Sequence, residues 1–272
     1  MKFTNKTVVI TGATSGIGRA LAFEFASVGA NVVLGARRES ELVAVSKQIA
    51  AQGGRVVYTV CDVTCEEDCK RLIDKAVEVF GGVDVLICNA GISMRALFDD
   101  VDLAVLHRLM DVNFWGTVYC TKYALPYIQR SRGSIVGVSS VAGIHGLPAR
   151  TGYSASKYAM TGFLDTIRVE NLHRGVHVMV ACPGFTASNV RFSALTADGS
   201  QQGATPRNEG RMMTAEEVAR RIRKGVARRR RLLLMEYEGR LTHFLKKFVP
   251  SLVDRLFYIV MSREPDSPLK RT

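Results

Sequence analysis

Seven short runs along the chain are too uniformly apolar to be strands with one wet face. They are "TVVITG" (7–12), "NVVLGA" (31–36), "RVVYTV" (55–60), "VDVLICN" (83–89), "SIVGVSS" (134–140), "VHVMVAC" (176–182) and "RLLLME" (231–236). Runs of this length and β-branched content predict strands covered on both faces. Between the first six lie stretches of helical periodicity near 16–28, 39–52, 65–80, 101–131 with a break near Asp111, and 152–174. Strands alternating with crossover helices predict a doubly wound α/β fold, a parallel seven-stranded sheet with helices on both faces in three layers, with the last strand at an edge. No repeat, low-complexity tract or interdomain linker interrupts the order, so residues 1–272 read as a single domain.

Two segments break the alternation. The stretch 185–213 is long and irregular, and loops of that length inside compact domains are usually functional, so it is expected to be a lid over the substrate. A helical C-terminal extension occupies 237–272; within it "GRLTHFLKKFVPSLVDRLFYIVM" (239–261) carries apolar residues at helical spacing, and Pro250 divides it into two helices too short to span a bilayer.

Composition adds constraints. The start, "MKFTNKTVVITG", enters a strand at once, so no signal peptide is expected. Six cysteines without a paired CxxC and without neighbouring histidines read as reduced, buried thiols of a cytoplasmic protein, although Cys61, Cys65 and Cys69 recur at intervals of four; no metal site is expected. The net charge of +12 is lopsided, because residues 206–272 hold 17 Lys and Arg against 8 Asp and Glu. The basic run "RRIRKGVARRRRLLL" (220–234) lacks interleaved aromatics, which argues against nucleic acid; peripheral contact with anionic lipid, an acidic partner and plain solvation remain open.

Chemistry is signalled first by "TGATSGIGRA". Gly12, Gly16 and Gly18 fall where the first strand turns into a helix, and glycines there let the backbone approach a pyrophosphate held at the helix N-terminus. The second strand ends in Ala36, Arg37 and Arg38. An acidic residue at that place would grip the ribose 2′-hydroxyl of NAD and repel the 2′-phosphate of NADP; here two guanidinium groups suit the phosphate instead. In "GYSASKY" (152–158), Tyr153 and Lys157 share one helix face. An ammonium about 4 Å from the phenol at an effective dielectric near 20 contributes roughly 4 kcal/mol, enough to bring a tyrosine from near 10 toward neutrality. His145, Met94 and Leu147 follow strand ends and are candidate pocket residues; His107 and His173 read as helix surface, and Phe114 and Trp115 as packing or a subunit interface.

"TGATSGIG", "CNAG" (88–91), Asn113 in "DVNFWG", "SSVAG" (139–143), "YSASK" and "PGFT" (183–186) come in the order and spacing of the short-chain dehydrogenase/reductases. From residue 5 to about 236 the chain resembles that family, and within it the NADP-linked branch near the 11β-hydroxysteroid dehydrogenases and the dehydrogenase/reductase members carrying "TADGS" (196–200). The resemblance implies a Rossmann sheet. It also implies Tyr153 as general acid/base, Lys157 as its partner and ribose ligand, Ser140 as donor to the substrate oxygen, and Asn113 as holder of a proton-relay water. It places NADP against Gly12, Thr14, Ser15, Gly16, Ile17, Gly18, Arg37, Arg38, Asp62, Val63, Asn89, Ala90, Gly91, Tyr153, Lys157, Pro183, Gly184 and Thr186. Cys88 stands where the family has asparagine, which removes one backbone-bracing contact. The implied reaction is hydride exchange with a ketone or secondary alcohol of apolar, lipid- or steroid-like character, in a homodimer or homotetramer. The alternatives are a 3-oxoacyl-carrier-protein reductase and a non-catalytic NADP-binding sensor or scaffold.

Overall fold

The computed structural model describes residues 2–184, 186, 194–203 and 212–271. Seven parallel strands form the sheet: β1 (Thr7–Thr11), β2 (Asn31–Ala36), β3 (Arg55–Val60), β4 (Val85–Cys88), β5 (Ser134–Val138), β6 (His177–Cys182) and β7 (Leu232–Leu234). Their order across the sheet is β3-β2-β1-β4-β5-β6-β7, so the chain winds one way from β1 and then returns to wind the other. The edge strand β7 pairs Leu232 with Val180 and Leu234 with Cys182.

The crossover helices are α1 (Gly16–Ala26), α2 (Glu39–Ala51), α3 (Glu66–Phe80), α4 (Leu103–Met110), α5 (Gly116–Ser131), α6 (Thr151–Glu170) and α7 (Ala215–Ala227); α8 (Tyr237–Leu245) and α9 (Pro250–Ser262) close the chain. Alternate residues of each strand serve opposite faces. Val8, Ile10, Val32, Leu34 and Val136 meet α1, α2 and α7 in one core, while Val9, Val33, Leu86, Ile135 and Val178 meet α3, α5 and α6 in the other. Each large side chain removed from water in this way contributes about 1.5–3 kcal/mol, which is why the strands needed two apolar faces.

Two elements differ from expectation. The break near Asp111 is a π-helical turn, Asp111–Trp115, that joins α4 to α5 without ending the helix. The arginine-rich stretch after residue 214 is α7, which buries Val218, Ala219, Ile222 and Val226 against the sheet and α1 and sends its cations outward. Thr214 caps it, accepting from the Glu217 N–H at 3.2 Å. Much of the expected lid, 185–213, lies outside the described residues; of the rest, Leu195 forms bridges to Met94 and Gln201, and Asp198 closes the "TADGS" turn by accepting from the Ser200 N–H at 3.0 Å.

Parallel strands divide the molecule into two ends. Arg228 to Arg231 precede β7 and sit at the amino edge of the sheet, where Arg229 donates to the carbonyls of Arg132 and Gly175 at 3.3 and 2.6 Å. Helices α8 and α9 follow β7 at the carboxyl edge. The basic run and the amphipathic extension, neighbours in sequence, therefore occupy opposite ends of the molecule.

Candidate active site

The turn after β1 is pressed from both sides. Gly12 (φ 65°) and Gly16 (φ 50°) adopt left-handed conformations. A Cβ on Gly18 would lie 2.1 Å from the Gly12 carbonyl oxygen, and one on Gly12 would lie 2.9 Å from Ala90 Cα. No side chain fits here, so the backbone itself lines the groove. Ser15 makes no side-chain capping bond and the first turn of α1 carries no acidic residue. The positive end of the helix thus begins at Gly16, Ile17 and Gly18 with room for a phosphate, which is the fit a dinucleotide requires.

The neighbouring strand ends complete that groove. Arg38 reaches back to donate to Thr14 Oγ1 at 3.4 Å, and Arg37 beside it is exposed. Asp62 accepts from the Thr64 N–H and hydroxyl at 3.0 and 2.9 Å, and Val63, buried beside it, packs on Gly116. After β4, Asn89 takes over the bracing that Cys88 cannot give. Its amide donates to the carbonyls of Thr11 and Gly12 at 2.9 and 3.3 Å, while the Asn89 and Ala90 N–H groups both donate to Thr11 Oγ1 at 3.0 Å.

The polar centre gathers from β5, the π-helical turn and α6. Asn113 is fully buried; it accepts from the Ile92 N–H at 2.9 Å and donates to the Ile92 carbonyl and to Ser156 Oγ at 3.0 and 2.8 Å, tying the β4 loop to α6. Ser140 lies beside the phenol of Tyr153 and favours its charged form, and its hydroxyl accepts from the Ala142 N–H at 3.2 Å, whereas Ser139 faces away, toward Thr161. Gly91 lies against Asn113 and Lys157. Pro183 and Gly184 end β6, and buried Thr186 donates to the Gly184 carbonyl at 3.2 Å. An apolar wall of Met94, Ala96, Val105, Leu109 and Leu195 packs against Tyr153.

Lys157 departs from expectation. Its ammonium donates to the Val138 carbonyl at 2.9 Å and lies 5.9 Å from the centre of the Tyr153 ring. Burial brings it down to about 8. Tyr153 is half-buried as a residue, and its surroundings disfavour the charged form, raising the phenol above its ordinary value. Ser140 beside the phenol and the positive charge of Arg150 act against that rise. Arg150 precedes α6 as its N-terminal flanking residue and had given no sequence signal beyond standing three residues before Tyr153.

His145 is buried, and its Nε2 has no hydrogen-bond partner among the described residues; its ring lies 5.3 Å from Phe257 and 6.5 Å from His243, under the C-terminal helices. Leu147 is half-buried in the same loop, and its N–H donates to Ser154 Oγ at 3.2 Å. His107 and His173 are exposed.

Residues 6–198 match the family model described as short chain dehydrogenase. The chain belongs to that family. It is 35% identical over 279 residues to 11-beta-hydroxysteroid dehydrogenase A of Sesamum indicum, covering 98% of this chain and 78% of the relative. Dehydrogenase/reductase SDR family member 7B of Mus musculus is 36% identical over 93% of this chain and 80% of its own. Among solved structures, a short chain dehydrogenase/reductase from Burkholderia phymatum in complex with NAD superposes with a TM-score of 0.82 at 26% identity, covering 93% and 96% of the two chains. An alcohol dehydrogenase from Thermococcus sibiricus complexed with 5-hydroxy-NADP gives 0.70 at 26% identity, covering 80% and 89%. This family member is therefore an oxidoreductase of nicotinamide-dinucleotide type built on the Rossmann sheet.

Proposed function

We propose that this short-chain dehydrogenase uses NADP(H) to interconvert an apolar ketone and the corresponding secondary alcohol. The observation that carries the reading is the gathering of Tyr153, Ser140, Lys157 and Asn113 at the carboxyl edge, facing an apolar wall. The nicotinamide, when bound, supplies or accepts the hydride. Tyr153 exchanges the proton with the substrate oxygen, and Ser140 donates a hydrogen bond to that oxygen as it gains charge. Lys157 holds the nicotinamide ribose. The side chain of Asn113 is committed to Ile92 and Ser156 and its main-chain carbonyl accepts from the Thr117 hydroxyl at 3.0 Å, so a relay water between Lys157 and solvent would share that carbonyl through its second lone pair. The groove after β1 receives the pyrophosphate, Asp62 and Val63 border the adenine, Arg37 and Arg38 face the 2′-phosphate, and Thr186 meets the carboxamide.

Steady-state oxidation of NADPH over a panel of cyclic and long-chain ketones tests the reaction. Tyr153→Phe should abolish turnover with cofactor affinity nearly unchanged, because only the transferable proton is lost. Titration of NADPH and NADH against wild type and Arg37→Ala tests the cofactor: losing one charge-assisted contact costs about 1.5–3 kcal/mol, roughly 10- to 150-fold in affinity for NADPH. Equal affinities in wild type, or normal turnover by Tyr153→Phe, would refute the corresponding half of the reading.

Two further surfaces belong to it. The end of the π-helical turn before α5 exposes Trp115, and α6 exposes Tyr158 and Val169; we assign this side of the molecule to a homo-oligomer interface. Helices α8 and α9 expose Tyr237, Leu241, Phe244 and Phe248 on one face and Leu252, Leu256, Ile259 and Val260 on another. Exposed Arg240, Lys247, Arg255 and Arg263 accompany them, against exposed Glu238 and Asp254. Apolar stripes bordered by a cationic excess suit an anionic lipid surface, each cation contributing about 1 kcal/mol.

A further inference from the structure

The amino edge of the sheet, opposite the reaction, holds a cleft that the proposed chemistry does not use. Its volume is about 620 Å³, and Pro126, Gln129, Arg130, Arg132, His173 and Arg174 line it, with no acidic residue among them. One wall is the last turn of α5 with its left-handed end at Arg132 (φ 49°); the other is the 3₁₀ turn Leu172–Arg174 between α6 and β6. The walls are tied to each other by the fold itself. Gln129 Nε2 donates to Asn171 Oδ1 at 2.7 Å, and the Asn171 amide donates to the Ile167 carbonyl at 2.9 Å. Arg229, from the loop before β7, donates to the carbonyls of Arg132 and Gly175 on the two sides. His177 Nε2 donates to the Arg230 carbonyl at 2.8 Å, which anchors the arginine run against β6.

The positive charge here exceeds what the fold requires. Helices α5, α6 and α7 all end at this edge, and one cation near each would complement the partial negative charge of a helix C-terminus. Instead Arg130, Arg132 and Arg174 are joined by the run Arg228 to Arg231, all of them exposed. Of these, Arg229 is committed to carbonyls through both terminal nitrogens. Arg130 is held in place, with Nε on the Pro126 carbonyl at 3.3 Å and its guanidinium carbon 4.7 Å from the centre of the Tyr127 ring, which leaves its terminal nitrogens without a bond among the described residues. Arg132 and Arg174 make no side-chain hydrogen bond or ion pair among the described residues, and the stem of Arg132 lies along Gly175. The neighbouring carboxylates do not reach them: Asp165 pairs with Arg168 at 3.2 Å, Asp84 with Lys6 at 2.9 Å, and exposed Glu170 forms no ion pair among the described residues.

We propose that this cleft binds a compact anion carrying several phosphoryl groups, with Arg130, Arg132 and Arg174 donating to its oxygens and the run Arg228 to Arg231 supplying the surrounding positive field. Guanidinium groups present planar, paired donors that match phosphoryl oxygens, and walls held in place by the fold need no reordering to receive them. The volume falls within the range of small-molecule pockets, and Pro126 is the one apolar side chain of the lining, so the occupant is small and charged throughout. A nucleic-acid strand would need open aromatic platforms for its bases, and the ring at hand, Tyr127, is covered by Arg130. An acidic polypeptide would bring apolar side chains that this lining cannot receive. The site lies at the other edge of the sheet from Ser140, Tyr153 and the groove after β1, so the inference does not depend on the assigned reaction.

Isothermal titration calorimetry of the full chain with inorganic tripolyphosphate, at physiological salt, is the test. The groove after β1 is a second place where phosphate could settle, so the double variant Arg37→Gln, Arg38→Gln serves as the reference protein. It should bind one equivalent in the micromolar range. Adding Arg132→Gln or Arg174→Gln to it should weaken that binding by about tenfold each, whereas Lys47→Gln, which removes the same charge from α2, should leave it nearly unchanged. In wild type, tripolyphosphate should protect Arg132 and Arg174, and not Arg240, from modification by phenylglyoxal as read by mass spectrometry; this arm requires no variant to fold. Soluble inositol trisphosphate and phosphatidylcholine vesicles containing phosphatidylinositol bisphosphate separate the sources. Competition by the soluble compound without retention on vesicles means a free phosphate ester, and retention that Arg132→Gln abolishes means a lipid headgroup; either supports the phosphoryl chemistry. Binding that vanishes in the reference protein, that Lys47→Gln weakens as much as Arg132→Gln does, or that sulfate and citrate match overturns the proposal. Poly-glutamate bound more tightly than tripolyphosphate overturns it too and gives the cleft to an acidic protein.

Discussion

Lys157 is the most costly residue of the site. Its long side chain is buried and its ammonium is bonded to a single carbonyl, with the ordinary value of 10.5 brought down to about 8. A lysine so depressed costs stability wherever it must be charged in the fold; the cost is absent above 10.5, where it is neutral in both states, grows as pH falls from there, and is full below about 8. At pH 7 the fold therefore carries a penalty on the order of 3 kcal/mol, offset by the Val138 hydrogen bond. Lys157→Met keeps the length and removes the charge. It should raise Tm by a few degrees at pH 7, with the gain shrinking toward pH 10, while turnover and cofactor affinity collapse. Calorimetry across that pH range checks it, and a Tm lowered at every pH would show that the charge is not the source of strain. Local spacing singled out Tyr153 and Lys157 in the sequence, and the resemblance to the family singled out Ser140 and Asn113; the fold brings all four to one place. The ion contacts of Glu264 with Arg150 at 3.1 Å and Arg95 at 3.6 Å were not legible, because these residues meet only where the fold closes three distant loops on one point.

At the level of elements, the strands could be read because both faces of each are apolar. Helix α7 could not, because its buried Val218, Ala219, Ile222 and Val226 are diluted by arginines on the wet side. The C-terminal pair α8 and α9 rests on a titratable wedge. Burial, then the charges of Lys246 and His243, bring His145 down to about 4, with Asp254 acting the other way. A histidine lowered in the fold contributes stability that is full above its unfolded value near 6.5 and is lost as pH falls through about 4. Across that window α8 and α9 should loosen from the rim before the sheet melts. Limited proteolysis at pH 7 and pH 5 should show new cleavage between residues 237 and 262 only in acid, and His145→Phe should suppress it. Equal cleavage of wild type at both pH values would exclude His145 as the wedge.

The whole molecule has a chemical end and a supporting end, and partners sort between its surfaces. If α5 and α6 form the subunit contact, light scattering at micromolar concentration should give about twice or four times the 29.8 kDa of one chain, and Trp115→Glu should reduce it to one. A monomer in wild type removes that interface. Sedimentation with phosphatidylserine vesicles should retain the protein at low salt and release it at high salt. Phe244→Glu with Phe248→Glu should abolish retention, whereas neutralising Arg228 to Arg231, at the far edge, should leave most of it; the reverse result would move the lipid contact to the arginines. The strand order has one more consequence, for synthesis. A chain made from its amino end completes β1, β2 and β3 at Val60 and then adds a further turn and helix α3 before β4 begins at Val85 to cover the open side of β1. At roughly 5–20 residues per second that is about one to five seconds on the ribosome, during which the nucleotide half of the protein exists without its catalytic half and with its central strand bare.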